Sequence, residues 1–191
     1  LIFSIHSTNP CLLLISKIKS QLKEGLRFSF ILRHAFKCPA IFASYKIDDK
    51  FIIENKPDYC IVIAGVNDAG SQIGGRFYSY HMRLITKTLL HYKIKPIIVS
   101  CPEFGIKESI DGMNVLSKNR NVISAYFNNN GEIDNIRTYR KILTAELDSE
   151  NLKDSVILID FDNVCHDYNK CSELYANPSH LNKKGNEKLV Q

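Results

Sequence analysis

Two short stretches hold side chains suited to acyl chemistry. The first is Gly65-Val66-Asn67-Asp68, immediately after the apolar run Tyr59 to Ala64. A glycine leaving a buried strand lets the chain turn sharply and approach a ligand. An asparagine amide there can donate its N–H to a developing oxyanion, and Asp68 can cap the next segment or bind backbone. The same residue types also make an ordinary strand-ending turn. The second stretch is Asn177-Pro178-Ser179-His180-Leu181-Asn182, followed by Gly185. A loop histidine at a helix start suits a general base that takes a proton from a nucleophile. Taken alone, it also fits a plain surface position.

These residues act together only if the chain brings them together. Short apolar runs alternate with amphipathic segments, the pattern of an open parallel sheet covered by helices. Strands are expected at Leu1-Ile2-Phe3, Phe28 to Leu32, Tyr59 to Ala64, Pro96 to Ser100 and Ser155 to Asp160. The continuous apolar run from Tyr59 fits a central strand buried on both faces. Helices are expected from Asn9, with Pro10 in the first turn, and over Gly75 to Tyr92, Asn135 to Leu147 and Lys183 to Val190. Glu103 to Ser117 reads as a long connection, and Asn128-Asn129-Asn130-Gly131 as a turn. The expected fold is α/β: a three-layer α/β/α sandwich, flavodoxin-like, with a central parallel five-stranded sheet. Right-handed crossovers then put functional residues at the C-terminal ends of the strands.

Pro57-Asp58, the strand and Gly65-Val66-Asn67-Asp68 resemble the GxND block of SGNH (GDSL-like) hydrolases. Residues Asn177 to Gly185 resemble that family's later block, DxxH followed by Leu-Asn and a Gly. Order and strand–helix alternation also match, so the resemblance spans nearly the whole chain. It implies that His180 is the base, Asn177 its partner, and Asn67, in the turn opened by Gly65, an oxyanion donor. The family nucleophile is the Ser of Gly-Asp-Ser after the first strand. The matching stretch here is Ser4-Ile5-His6-Ser7-Thr8-Asn9-Pro10, which puts Ser7 at that position. Ser7 also fits a helix-capping turn.

The chain departs from the family pattern at three places. The family Gly and Asp of the first block are Ile5 and His6, and a shift of register by one would put His6 at the nucleophile position. The second block, roughly Arg33 to Ala40, contains no Gly, leaving a backbone N–H at Lys37 or Cys38 to serve the oxyanion. The Asp of the last block is Asn177, which orients an imidazole but adds no charge and can favour the wrong tautomer. In a Ser-His-Asp protease the Asp→Asn change loses about 10⁴ in turnover. Asp160, Asp162 or a carbonyl would then be alternative orienters of His180. Two functions follow: an active serine esterase or O-acyltransferase on a small or carbohydrate O-acetyl ester, or an inactive SGNH-like domain that binds a glycan or protein partner.

The bulk properties narrow the partners. With 191 residues, 45% hydrophobic and 24% charged, the chain fits one domain, 1–191, with an ample core. The net charge of +5 is spread rather than clustered, which gives no nucleic-acid stripe. No apolar run reaches the length that spans a bilayer. No CxxC or His-Cys spacing suggests zinc, and no phosphate loop or GxGxxG supports a nucleotide, so no metal or cofactor is expected. Cys60 and Cys101 fall in apolar runs and read as buried thiols, while Cys165 and Cys171 flank a polar loop and are able to pair. His166-Asp167 reads as surface, and Gly74-Gly75-Arg76 as helix-start turn chemistry. The start at Leu1, without Met, suggests a fragment or processed chain. Compartment and oligomeric state are left open.

Overall fold

The computed structural model describes the backbone of residues 28–31 and the chain over residues 57–189. Four strands form one parallel sheet in the order β1-β2-β3-β4: β1 Phe28–Ile31, β2 Tyr59–Ile63, β3 Lys95–Val99 and β4 Ile157–Ile159. The expected strand Leu1-Ile2-Phe3 and the expected helix from Asn9 lie outside the described residues. The register aligns Ile63 with Val99 and Val99 with Ile159, so neighbouring strands end level. Pro96 is tolerated in β3 because its ladder partner is Cys60 of β2, while pairing with β4 starts only at Ile97. A proline lacks the donor a fully paired position needs.

Two long helices pack on each other beside this sheet. Helix α2, Gly75–His91, buries Tyr78, Met82, Ile85 and Leu89 on one face, and α5, Ile136–Ser149, buries Ile136, Tyr139, Leu143 and Leu147. Each face follows helical spacing. The rings of Tyr78 and Tyr139 stack with centroids 5.4 Å apart. Large side chains of this kind each stabilise the fold by roughly 1.5–3 kcal/mol on burial. The helix expected over Asn135 to Leu147 thus runs two residues further, to Ser149.

The stretch read as a long connection is instead mostly helical. It holds α3, Ile106–Asp111, and the start of α4, Val115–Asn128; α1, Val66–Gly70, lies between β2 and α2. Asn114 caps α4, its side chain accepting from Ser117 N–H at 2.9 Å. Beyond β4 come a short helix α6, Tyr168–Cys171, a two-stranded antiparallel pair β5, Tyr175–Asn177, and β6, His180–Leu181, and the last described helix α7, Lys183–Leu189. Cys165 and Cys171 form a disulfide with Cα atoms 6.0 Å apart. Cys60 and Cys101 are buried free thiols.

Candidate active site

Gly65 leaves β2 with φ +115°, and a Cβ there would sit 2.8 Å from Cys101 Sγ and 2.9 Å from Tyr78 Cε2. Position and backbone both exclude a side chain. The residues read as a turn are in fact the opening of α1, where Gly65 O accepts from Ala69 N–H at 2.8 Å. Asn67 stands half-buried in the first turn of that helix, at the C-terminal edge of the sheet, and Asp68 is buried. One hydroxyl ties this helix to the start of α2. The Tyr139 hydroxyl donates to Asp68 O at 3.2 Å and accepts from Gly74 N–H at 2.6 Å. Burial pushes the Tyr139 phenol up, so it stays neutral and keeps its proton to donate. Burial likewise raises the Cys101 thiol, so the sulfur beside Gly65 is no thiolate nucleophile.

Past α1 the chain is braced by amides that the sequence did not single out. Gln72, buried and at φ 56°, accepts on Oε1 from Asn135 Nδ2 at 2.6 Å and from Asn129 Nδ2 at 2.8 Å. Its own Nε2 donates to Ile133 O at 2.9 Å. These bonds hold the loop between α1 and α2 to the turn after α4.

His180 does not sit in an irregular loop as expected. It opens β6, opposite Asn177, across a two-residue turn made by Pro178 and Ser179. Asn177 Oδ1 accepts from Ser179 N–H at 3.1 Å and lies 2.6 Å from His180 Nδ1. A backbone N–H needs an acceptor, so the Ser179 bond fixes which amide atom faces the ring: the oxygen. In its neutral form the imidazole facing that oxygen carries its proton on Nδ1 and its lone pair on Nε2. The wrong-tautomer concern raised by an Asn in place of Asp therefore does not apply to this geometry. Both Asn177 and His180 are solvent-exposed. Gly185 earns its place by contact: a Cβ there would overlap the Leu174 carbonyl oxygen, and Asn182 Oδ1 accepts Gly185 N–H at 3.0 Å.

The His180 turn and the Asn67 helix are anchored to one segment, the connection from β3 into α3. Gly105 N–H donates to Pro178 O at 2.8 Å, the Tyr175 hydroxyl donates to Glu103 O at 2.7 Å, and the Ser109 and Ser179 hydroxyls lie 3.2 Å apart. On the other side Gly70 of α1 lies against Phe104, and α1 packs on α3. The residues from the middle and the end of the chain are thus brought to the same edge of the sheet. Ser7, His6 and the second-block stretch Arg33 to Ala40, with Lys37 and Cys38, lie outside the described residues.

The alternative orienters of His180 are engaged elsewhere. Asp160 Oδ1 accepts from Ser100 Oγ at 3.3 Å and from Asp162 N–H at 3.0 Å. Asp162 pairs with Arg140, whose Nε donates to Cys101 O at 2.8 Å. Arg140 NH2 also lies 3.1 Å from Glu103 Oε2, both groups buried. Their alignment gives no hydrogen bond, and each atom is otherwise unpartnered. Burial pushes the Glu103 carboxyl up to about 7, against the lowering pull of Arg140. Sequence reading missed this pair, since an arginine in an amphipathic helix reads as a solvent-facing residue. His166 is exposed, 3.4 Å from Asp162, in keeping with its surface reading.

Two solved structures share this architecture. An acetyl xylan esterase, AlAXEase, superposes with a TM-score of 0.65 over 97% of this chain and 89% of its own, at 16% identity. A putative lipolytic protein of the G-D-S-L family from Desulfitobacterium hafniense DCB-2 gives 0.53 over 80% and 72%, at 15% identity. The chain has an SGNH/GDSL hydrolase-like fold. Neither a family model nor a curated protein matches the sequence. Asn67 stands in the first turn of α1, just after β2, and His180 opens β6 ahead of α7. The His180 turn and the Asn67 helix both pack against the connection from β3 into α3.

Proposed function

We propose that this chain is a serine ester hydrolase, or an O-acyltransferase of the same chemistry, acting on a small or carbohydrate O-acetyl ester. The whole chain then works as one domain, with Leu1-Ile2-Phe3 as the fifth strand of a three-layer sandwich and Ser7 just beyond it. In the reaction, Ser7 Oγ attacks the acyl carbonyl carbon while His180 Nε2 takes the hydroxyl proton. The oxygen that becomes negative receives N–H bonds from Asn67 and from the Ser7 backbone, with Gly65 letting β2 pass directly into α1, which carries Asn67. Collapse breaks the ester bond, and His180 returns its proton to the leaving alcohol. Water then attacks the acyl-serine by the same proton route; in the transferase version an acceptor hydroxyl replaces it.

The observation that carries this reading is the Asn177 side chain, whose oxygen accepts from Ser179 N–H and lies 2.6 Å from His180 Nδ1. A surface histidine has no need of a partner that fixes its tautomer for base catalysis. The likeness to an acetyl xylan esterase supports the acetyl-ester choice. The test is hydrolysis of p-nitrophenyl acetate by the wild type, Ser7→Ala and His180→Ala. Activity in the wild type and its loss in both variants is the expected result. Equal activity in all three removes the mechanism, and no activity in the wild type leaves the glycan- or protein-binding module as the better reading.

A further inference from the structure

Helix α4 is built inside out. The side that meets the protein carries Ser117, Asn121, Ser124 and Ala125, of which only Ala125 is buried. A polar bond holds it there, Asn128 Nδ2 donating to Gln72 O at 2.9 Å. The opposite side is apolar and exposed, with Leu116 at 82%, Ile123 at 57% and Phe127 at 76% of full accessibility. Winding the helix at roughly 3.6 residues per turn places Val122, Val115, Tyr126, Ile123, Leu116 and Phe127 on one arc of about 140°. Asn119 is the one polar residue within that arc. Arg120 borders it on one edge and Lys118 on the other, and the helix contains no Asp or Glu. Phe127 also walls an open cavity of about 940 Å³ together with Arg76, Phe77 and Tyr80, so the exposed aromatic surface continues beyond the helix.

We infer that α4 is an interfacial helix, whose apolar arc enters the headgroup–acyl boundary of an anionic lipid surface while Arg120 and Lys118 reach the headgroups. The pattern meets each requirement of such a helix: a strongly divided perimeter, aromatic and aliphatic residues on the buried side, and cations at its borders. Lys118 is paired with Asp111, whereas Arg120 has no ion-pair partner among the described residues. Charge argues against a second copy as the occupant. A two-fold contact along this face would bury the Arg120 border of each helix with no acid on α4 to offset it. No helix among the described residues is long and apolar enough to cross a membrane, so the contact is with the surface. The inference stands apart from the esterase reading, because none of these residues belongs to the Ser7–His180 site.

The test is co-sedimentation of the full chain with vesicles of phosphatidylcholine alone and of equimolar phosphatidylcholine and phosphatidylglycerol. Binding is expected to the anionic vesicles, and to weaken as salt is raised. The variant Leu116→Ser/Ile123→Ser/Phe127→Ser changes only exposed positions and is expected to stay in the supernatant with an unaltered circular dichroism spectrum. Arg120→Gln is expected to lower the partition coefficient by about fivefold. His180→Ala is expected to bind as the wild type does, which separates this result from the fate of the esterase proposal. The inference is overturned if the wild type ignores anionic vesicles or if the triple serine variant binds as well as the wild type. Light scattering that shows a dimer dissolved by the triple substitution would assign the face to a second copy and overturn it too.

Discussion

Replacing Asn177 by Asp isolates what the missing carboxylate costs. The substitution keeps the shape of the side chain and the bond from Ser179 N–H, and adds one negative charge beside the imidazole. A protease that loses its triad carboxylate drops about 10⁴ in turnover, chiefly through the wrong tautomer. Here the tautomer is already set by the Ser179 bond, so only the charge term remains to be gained. With Nδ1 2.6 Å from the side-chain oxygen, the charge centres lie roughly 4 Å apart, where Coulomb attraction is about 1 kcal/mol in bulk water. Exposed pairs deliver no more than about that, so kcat on p-nitrophenyl acetate is expected to rise about fivefold. Long-range ¹⁵N–¹H NMR of the imidazole is expected to find Nδ1 protonated in both proteins. A rise of a thousandfold or more would mean that the Asn177 amide holds the ring wrongly. No change at all would mean that no imidazolium forms at His180 in the rate-limiting step.

Three further outcomes follow from the geometry. Asn67→Ala is expected to lower kcat by roughly 10²–10³ with little change in KM, as for loss of one oxyanion donor; an effect confined to KM would move Asn67 to substrate binding. Glu103 ionises at about 7 when folded, above the usual 4.5. Its contribution to stability is thus fully present below 4.5 and lost as pH rises through 7. Urea unfolding should show the wild type losing on the order of 2 kcal/mol relative to Glu103→Gln between pH 5 and pH 8, after allowance for solvent screening; parallel pH curves would exclude a raised carboxyl. Gly185→Ala is expected to destabilise by about 1–3 kcal/mol because the added methyl meets the Leu174 carbonyl rather than a movable side chain; a gain in stability from helix propensity would contradict that contact.

The sheet was readable because its strands are short and apolar on both faces: Tyr59 to Ile63 admits no other element between Pro57-Asp58 and a Gly turn. The strand-end positions of Gly65 and Asn67 followed directly. The hairpin around His180 was not readable, because β5 and β6 are too short to show alternation and Asn177-Pro178 reads equally as an irregular turn. That hairpin sets Asn177 against both Ser179 and His180. Helix α4 escaped for a different reason. Its apolar face points outward and its inward face is built of Ser and Asn, which inverts the pattern by which amphipathic helices are assigned to a core. Arg140 was missed because burial of an arginine depends on distant acids, Glu103 and Asp162, that no local window contains.

The most direct measurement is covalent labelling with a fluorophosphonate, followed by mass spectrometry of the digested protein. A serine activated by His180 is expected to take up one label, located on Ser7, and His180→Ala is expected to slow labelling by several orders of magnitude. Label on another residue, or equal labelling in the absence of the imidazole, would contradict a Ser7–His180 esterase.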